Sequence, residues 1–464
     1  MTGPTSDMRA GNGATVAAPD LFGHPRGLTY LFATEMWERF SFYGMRALLV
    51  LYMVKYLFEP ERAEGVLGYA AVRGALEFFV GTLSTQALAS YIYGLYTGLV
   101  YLTPLAGGYL ADRLIGQRRI VIVGALMMAL GQFLLMWERL FFLGLLMLIL
   151  GNGAFKPNIS TQVGALYPIG DARRDRAYSI FYVGINVGAF LAPLVAGTLG
   201  EEWGWRYGFA SAGIGMLAGL ATYLHALPTL PTDELHKSKA AGHPAGPLDA
   251  KEKRAVWALV VLFAPVTLFW AAYEQQGNTI VLWTADHTDR SINLLFWSGE
   301  IPTTWFQAFN PFLIFAFTPF IVALWSWQDK HGIELSSITK MSIGCFGVAV
   351  AYLIIAIAAW QPAGEKASWL WLLGFYVAVT LGELYLSPIG LSLVSKVAPV
   401  RMVSMLMGVW LATSFVGNFL AGYLGGFWSS MDKVSFFLMI AAVATGAAVI
   451  IWLLHWPLKS VLRD

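Results

Sequence analysis

Charged residues are scarce in this chain. Asp, Glu, Lys and Arg make up only 12% of its 464 residues, about half of the roughly 25% found in a soluble globular domain. Hydrophobic residues make up 57%, and the mean hydropathy is +0.60. This composition excludes an ordinary soluble protein and predicts a protein with many membrane-spanning segments.

Cysteine and the motifs of metal and nucleotide sites are scarce as well. The single cysteine, Cys345, excludes a disulfide framework and a cysteine-based zinc site. The seven histidines show no HExxH spacing, and the chain has no GxxxxGK[ST] loop, which argues against a metallohydrolase and an ATP-driven pump. A net charge of +2 provides no field that attracts nucleic acid. We therefore expect no metal, no cofactor and no nucleic-acid partner.

Twelve segments are long and apolar enough to cross a lipid bilayer, which takes roughly 20 residues. The first 27 residues are polar and lack the apolar core of a signal peptide, so the first span is expected to stay in the membrane. The stretch 58–89 is more polar and is either a surface loop or an amphipathic turn. The predicted spans cover 28–57, 90–111, 119–137, 140–166, 177–199, 206–226, 254–284, 303–327, 338–360, 368–395, 401–428 and 433–456.

The spans form two groups of six around a polar linker. Most of the 30 lysines and arginines fall on the linker side, which predicts that both termini are cytoplasmic in a multi-pass protein of the cell inner (plasma) membrane. The predicted organisation is a tail (1–27), an N-terminal bundle (28–226), a cytoplasmic linker (227–253), a C-terminal bundle (254–456) and a tail (457–464). This all-α polytopic arrangement is typical of the major-facilitator fold, whose halves enclose a midplane site. Some channels and membrane enzymes share the composition.

Four charged residues lie on one face of the first span. At about 100° per residue, Glu35, Glu38, Arg39 and Arg46 share a sector with Tyr43. A charge near the centre of a membrane helix costs roughly 2.5–3.5 kcal/mol, so this face is expected to point into the protein. The plainer alternative is a set of internal ion pairs, such as Glu35 with Arg39, that only join helices.

Charged and amide side chains recur in four later spans. Lys156 lies in the fourth span, Glu274 in the seventh, Asn310 in the eighth and Glu383 in the tenth. A single buried charge could be tolerated without a function. A basic group on one half and carboxylates on the other form a pattern, and such charges usually mark a substrate or proton pathway.

The turn between the second and third spans holds glycines, an acid and arginines. Gly107 and Gly108 permit a close helix approach, and Asp112 and Arg113 could exchange partners as the helices rock. We therefore predict a gating loop at Gly108, Asp112 and Arg113. The alternative is a plain cytoplasmic anchor of basic residues.

Three motifs together resemble the proton-dependent oligopeptide transporter family of the major facilitator superfamily, in its bacterial branch. The first is E-x-x-E-R-F-x-[FY]-Y-G at Glu35–Gly44. The second is F-Y-x-x-I-N-x-G at Phe181–Gly188, and the third is G-G-x-x-A-D-R-x-x-G-x-R-R at Gly107–Arg119. The resemblance covers nearly the whole chain.

The resemblance implies roles for particular residues. Arg39 and Lys156 would face a peptide carboxylate, and Glu383 would face the amino terminus. The substrate-binding residues would be Arg39, Tyr43, Tyr96, Lys156, Asn186, Asn310, Glu383 and Trp410. The proton-coupling residues would be Glu35, Glu38, Arg39, Arg46 and Glu274, with Arg46 paired to Glu274.

Two departures from the family pattern matter. Gly94 stands where animal members have a second-span histidine, so a histidine relay of that kind is not available. The linker of 27 residues is too short for the two extra helices of many bacterial members, so twelve spans are expected.

The resemblance implies a proton-coupled symporter that imports di- and tripeptides by alternating access. It would sit in the lipid bilayer, use protons as the coupling ion without a cofactor, and function as a monomer. A transporter of nitrate or another small anion is the alternative within the family, although Glu383 as an amine partner argues against it. A membrane peptide sensor without transport is the alternative from another class. An intramembrane enzyme is not expected, because no convincing nucleophile and base pair is present.

Overall fold

The computed structural model describes residues 23–168, 171, 173–232, 248–294, 297–333, 335–362, 365–399, 402–458 and 461. Most of the predicted linker and most of both predicted tails lie outside these residues.

Twelve long helical segments, numbered span 1 to span 12 in chain order, occur among the described residues, one at each predicted position. Several continue into π or 3-10 turns, which are included in the bounds. In order, the spans are Arg26–Tyr52 with Met53–Leu57, Thr85–Leu110 with Ala111–Ile115, Gln117–Leu134, Glu138–Leu140 with Phe141–Ala165, Arg173–Ala192 with Pro193–Gly197 and Leu199–Trp203, Trp205–Ala226 with Leu227–Thr229, Ala250–Tyr273 with Glu274–Gly277 and Thr279–His287, Thr303–Ala308 with Phe309–Lys330, Ser337–Ala359, Leu370–Val397, Val403–Gly425 with Gly426–Ser429, and Lys433–Leu458.

Ten of the spans are long and apolar enough to cross a membrane by composition alone. Spans 1 and 2 are the more polar pair. Span 1 carries the charged face described above, and span 2 is rich in tyrosine, serine and threonine. Most residues of both helices are buried against other helices.

Local signals at the helix ends agree with the observed boundaries. The Ser84 hydroxyl accepts a hydrogen bond from the Ala87 N–H at 3.1 Å and caps span 2. Asp249 and Glu252 form a capping box at the start of span 7. Gly116 has a φ of +90° between spans 2 and 3, a conformation in which a side chain would be strained. The two caps satisfy backbone N–H groups that a helix end leaves free, and Gly116 lets the chain change direction.

The stretch 58–89 differs from a simple loop or turn. It contains the short helix Pro60–Ala63 and a helix over Tyr69–Val80, which we call the lateral helix. Two small strand pairs follow span 7: Thr288–Asp289 runs parallel to Ala367–Ser368, and Ser291–Leu294 runs antiparallel to Trp297–Glu300.

The spans pack as two six-helix halves. In the first half, span 1 packs against spans 5 and 6, and span 4 packs against spans 2 and 3. In the second half, span 9 packs against spans 10 and 12, and span 7 against spans 11 and 12. The halves meet where span 2 packs on span 11 and span 5 on span 8. The end of the bundle that holds residues 26, 232 and 250 is called the linker end below, and the opposite end is called the far end.

Glycine permits the close crossing of spans 2 and 4. A Cβ atom on Gly107 would lie 1.9 Å from the carbonyl oxygen of Gly153, whereas a Cβ on Gly108 would meet nothing within 4 Å. The two adjacent glycines therefore differ: Gly107 is required by packing, whereas Gly108, of the predicted gating loop, faces open space.

We predict that Gly107→Ala destabilises the protein by about 1–3 kcal/mol, because the added methyl group overpacks the helix crossing. Gly108→Ala is the matched control, and it should be neutral or stabilising by up to about 1 kcal/mol because alanine favours helix. Thermal unfolding of the two variants in detergent, followed by tryptophan fluorescence, compares them. Equal unfolding temperatures would contradict the assignment of Gly107 to the crossing.

Candidate functional site

A central cavity lies between the two halves and encloses about 990 Å³, its open mouth included. Six of the predicted site residues line it: Tyr43, Arg46, Asn186, Glu274, Asn310 and Glu383. These residues come from spans 1, 5, 7, 8 and 10. Packing of the halves thus brings together side chains that are up to 340 positions apart in the chain, from Tyr43 to Glu383.

Glu383 is oriented by hydrogen bonds from the second half. The Tyr273 hydroxyl donates to its Oε2 at 2.6 Å, and the Asn310 amide donates to the same oxygen at 2.9 Å. The Asn310 amide also donates to Thr380 Oγ1 at 3.1 Å. Among the described residues, Oε1 of Glu383 has no protein donor. The site therefore presents a fixed carboxylate that can accept a ligand's hydrogen bonds.

Arg46 and Glu274 form an ion pair across the two halves. The Arg46 Nη2 donates to Glu274 Oε2, and the side chains are 13% and 3% exposed. The Arg46 Nε also donates to the Tyr93 hydroxyl at 2.9 Å. The pairing predicted from the sequence is thus present in this structure. Its breaking and re-forming during a transport cycle stays a prediction.

Glu274 lies where span 7 leaves regular helix. The turn Glu274–Gly277 separates Ala250–Tyr273 from Thr279–His287. A Cβ atom on Gly277 would lie 2.1 Å from the Tyr93 hydroxyl. The absence of a side chain at Gly277 therefore lets span 2 approach this turn.

A second charged cluster lies within the first half. Arg39 contacts both carboxylates of the predicted face: its Nη2 donates to Glu38 Oε1 at 2.7 Å, and its Nε lies 3.3 Å from Glu35 Oε1. The Asn152 amide donates to Glu38 at 3.1 Å. These side chains are at most 4% exposed. Arg39 thus points at two carboxylates and does not line the central cavity.

One oxygen of this cluster is left without a partner. Glu35 Oε2 is buried and has no hydrogen-bond partner among the described residues. Leaving a buried carboxylate oxygen without a donor is costly.

Lys156 lies next to a residue of the cavity wall and is partly exposed. Its Nζ is 4.6 Å from the centre of the Tyr101 ring, and Tyr101 lines the cavity. Within the part of the chain that the structure describes, Lys156 forms no ion pair within 4.0 Å. An ammonium group without a carboxylate partner in a low-dielectric setting attracts an anion.

Two other predicted pocket residues lie outside the cavity lining in this conformation. Tyr96 is only 2% exposed and lies in the core of the first half. The Trp410 indole packs edge-on against Phe263, with ring centres 5.6 Å apart, and fills the space beside Gly390. The expectation that Tyr96 and Trp410 line the pocket does not match this conformation, because neighbouring side chains already cover both rings.

The predicted gating loop lies at the linker end. The Arg113 guanidinium is 5.5 Å from the Tyr109 ring centre. Arg118 donates to the Leu230 and Pro231 carbonyl oxygens. The turn is therefore joined to the chain that leaves span 6, a contact that the sequence did not predict.

Sequence reasoning also missed several residues of the cavity wall. They are three tyrosines: Tyr101, Tyr182 and Tyr273. The chain contains 20 tyrosines, and nothing local separates those facing the cavity from those packed in the core.

The far end is closed by a carboxylate that caps a helix of the other half. Glu201, at the end of span 5, accepts hydrogen bonds from the Thr303 N–H at 2.8 Å and from the Thr304 N–H at 2.7 Å. The Thr304 hydroxyl donates to the same carboxylate at 2.6 Å. The Glu201 carboxylate thus satisfies the free N–H groups at the start of span 8. We call these contacts the Glu201 latch.

Further contacts between the halves also lie toward the far end. The Trp305 indole N–H donates to Thr198 Oγ1 at 2.7 Å, and Lys55 pairs with Asp286. The Gln86 amide donates to the Gly425 carbonyl at 3.0 Å. Among the described residues, the hydrogen bonds between the halves all lie between the cavity and the far end. The conformation is therefore closed at the far end.

Two halves of six helices around a polar central cavity, closed at one end, define a secondary transporter of the major-facilitator type. The chain belongs to the POT family, whose family description matches residues 118–240 and 234–443.

Individual relatives agree with this membership. The peptide transporter YePEPT of Yersinia enterocolitica subsp. palearctica serotype O:3 (strain YE-P4) is 34% identical over 477 aligned residues, covering 87% of this chain and 88% of the relative. A di-/tripeptide transporter of Lactococcus lactis subsp. cremoris is 29% identical, covering 96% and 97%. A crystal structure of a peptide transporter POT in complex with sulfate has a TM-score of 0.82 at 28% identity, covering 97% and 98%.

We predict that Arg46→Ala and Glu274→Gln are strongly non-additive in their effect on stability. Removing one partner leaves an uncompensated buried charge, which typically costs about 3–5 kcal/mol, whereas removing both avoids that cost. Thermal unfolding of both single variants and the double variant in detergent completes the cycle. Tyr93→Phe is the control for the second hydrogen bond of Arg46. Additivity within about 0.5 kcal/mol would show that the two side chains do not interact.

We also predict that Glu201→Ala weakens closure of the far end. Hydrogen bonds to a charged group contribute about 1.5–3 kcal/mol each, so the ratio of far-end-open to far-end-closed molecules should rise at least about tenfold. Spin labels on cysteines introduced at Glu61 and Ser430 measure the separation of the halves in lipid nanodiscs. Glu202→Ala is the control, because Glu202 is exposed on the same turn. Unchanged distance distributions in Glu201→Ala would exclude a role for the latch.

Proposed function

We propose that this protein is a proton-coupled symporter that imports di- and tripeptides by alternating access. The observation that supports this most is the placement of opposite charges on the two halves. Glu383, on the second half, is oriented at the cavity by Tyr273 and Asn310. Lys156, on the first half, contacts the cavity residue Tyr101. The relatives named peptide or di-/tripeptide transporters support the same substrate class.

A short peptide fits this arrangement because it is a zwitterion. The ends of an extended di- or tripeptide lie roughly 7–11 Å apart, at about 3.5 Å per residue. In the proposal, Glu383 binds the amino terminus, and Lys156 with Arg39 attracts the carboxylate. Tyr43, Asn186 and the other polar wall residues contact the peptide backbone, while Tyr96 and Trp410 approach only in another conformation.

Binding at both ends draws the two halves together. A ligand shifts a conformational equilibrium only by its differential affinity for the two states. A peptide that contacts both halves binds the occluded state more tightly than the open one. The substrate therefore favours closure at the linker end, opposite the Glu201 latch.

Proton coupling acts through the carboxylates of spans 1 and 7. Protonation of Glu274 neutralises the partner of Arg46 and frees the two halves to separate. Glu35 and Glu38, which share Arg39, are the further candidate proton carriers. One proton moving down 100 mV supplies roughly 2.3 kcal/mol, which suffices for about 50-fold accumulation of a neutral solute. Protons are then the coupling ion, and no cofactor takes part.

The proposed membrane arrangement places the linker end in the cytoplasm of a bacterial cell and the far end outside. The tail 1–27, the linker 227–253 and the tail 457–464 are then cytoplasmic, and the bundles 28–226 and 254–456 lie in the inner membrane. The loop at Gly108, Asp112 and Arg113 gates the cytoplasmic side. Each monomer holds a complete site and is proposed to work alone.

A nitrate or small-anion transporter is the alternative within the family. Lys156 and Arg39 could both hold an anion. The orientation of Glu383 by two donors opposes it, because a fixed carboxylate at the cavity repels an anion and suits an amine. A membrane sensor that binds a peptide without transporting it is the alternative from another functional class.

We predict that Glu383→Ala and Lys156→Ala each lower peptide uptake at least about tenfold, because each loses one charge-assisted contact with a peptide terminus. The measurement is uptake of a labelled dipeptide into proteoliposomes under an inward proton gradient, with and without an uncoupler. N-acetylated dipeptides should compete poorly with free ones in the wild type. Glu202→Ala is the charge-removal control.

The outcomes separate the alternatives. Equal competition by N-acetylated peptides would refute the role of Glu383. Gradient-driven nitrate uptake without peptide uptake would support the anion transporter. Peptide binding without accumulation would support the sensor.

A further inference from the structure

The lateral helix, Tyr69–Val80, exposes an apolar face. Its 12 residues span about 18 Å at 1.5 Å per residue, too short to cross a bilayer. Phe78 and Phe79 are both 82% exposed. The exposed residues of the helix are apolar or glycine throughout: Ala70, Ala71, Gly74, Ala75, Phe78, Phe79 and Val80. In water, such a face would be an unfavourable surface.

The charged residues of the lateral helix lie on its other face and satisfy each other there. The Arg73 Nε donates to Glu77 Oε1 at 2.9 Å, and the Arg73 Nη2 donates to the Leu83 carbonyl at 3.0 Å. The Leu83 N–H donates to Glu77 Oε1 at 3.0 Å. This hydrogen bond and the one from Arg73 both lower the pKa of Glu77. The carboxylate therefore stays charged and paired. The lateral helix thus turns its apolar face outward and its charged face inward. A helix that covers a protein core from water has the opposite orientation.

Both ends of the lateral helix are held at the level where the spans end. The Leu67 N–H, just before the helix, donates to the Arg139 carbonyl at the start of span 4, at 3.0 Å. At the other end, Gly81 adopts a φ of +79°, and the chain enters span 2 at its cap, Ser84. The helix thus lies at the depth of the far ends of spans 2 and 4, where the hydrocarbon of a membrane gives way to head groups.

A groove of about 1040 Å³, its open side included, separates the lateral helix from the end of span 11. Its lining mixes aromatic rings with hydroxyl side chains, among them Thr82, Ser84, Ser429 and Ser430. Phe79 and Val80 line it on one side, and Tyr423 and Phe427 of span 11 line it on the other. Tyr423 and Phe427 are 41% and 37% exposed. A mixture of aromatic rings and hydroxyl groups suits the boundary between hydrocarbon and head groups, where aromatic side chains are favoured.

We propose that the lateral helix lies in the membrane leaflet at the far end, with Phe78 and Phe79 among the acyl chains. The paired Arg73 and Glu77 then face the protein. Interfacial helices of this kind bury their apolar face about 5–10 Å into the head-group and acyl boundary. This placement requires only that the protein lies in a membrane, and it does not depend on which substrate the protein transports.

The size and chemistry of the face favour lipid over a second copy of the chain. A helix about 18 Å long and 10–12 Å wide presents on the order of 200 Å², whereas a stable protein interface buries about 800 Å² on each partner. The face also carries no side-chain donor or acceptor to form the polar rim of an interface.

A fluorescent reporter at Phe78 tests the proposal. Phe78→Cys, labelled with an environment-sensitive fluorophore, is reconstituted into phosphatidylcholine vesicles. Quenching by lipids with a nitroxide on the acyl chain is compared with quenching by aqueous iodide. We expect the ratio of lipid to iodide quenching to be at least about fivefold higher than for Glu61→Cys on the neighbouring short helix. Cys345 is buried, and the unmodified chain taken through the same labelling gives the background.

A second variant tests the cause of the signal. Ala75→Asp places a charge on the apolar face and should move the reporter at Phe78 toward iodide, whereas Glu64→Asp should leave it unchanged. Strong iodide quenching of the Phe78 reporter in the unaltered helix would show that the helix lies in water and would overturn the proposal. Protection from both quenchers that disappears on dilution with lipid would show that a second copy covers the face, which would also overturn it. Monodisperse gel filtration of each labelled variant establishes that it is folded.

Discussion

The electrostatic cost of burying charge in a low-dielectric interior governs this structure. The pairs of Arg46 with Glu274 and of Arg39 with Glu35 and Glu38 hold five charged groups away from lipid. A charge that loses its partner in such a setting is strongly destabilised. Because only the pair of Arg46 with Glu274 joins the two halves among these groups, a proton or a charged ligand terminus that binds to this pair would change the stability of the closed arrangement.

The two ends of the molecule differ in how the halves meet. Toward the far end, the Glu201 latch, the pair of Lys55 with Asp286 and the contact of Gln86 with Gly425 join them. Among the described residues, these contacts hold the two halves together at the far end. The proposed transport cycle requires them to break and re-form.

Much of the fold and part of the site could be predicted from the sequence. Apolar length predicted the twelve spans, and the charged face of span 1 predicted that its charges point into the protein. The pairing of Glu35 with Arg39, which the structure contains, was the plainer alternative, and the pairing of Arg46 with Glu274 was implied by the family resemblance. Glu383 and Asn310 were predicted at the site, but Tyr273, which orients Glu383, was not. The positions of Tyr96 and Trp410 were inferred from family resemblance, and in this conformation neighbouring residues cover both.

The sequence by itself determined which segments can leave water and which charges cannot remain alone in hydrocarbon, because these properties depend only on local composition. The tertiary structure decided which residues contact one another. Glu201 meets Thr303 about a hundred positions away, and the apolar face of the lateral helix points outward, because helix rotation and the packing of the halves set these contacts. Hydrophobic periodicity identifies a buried face, but it carries no information about which distant helix lies against that face.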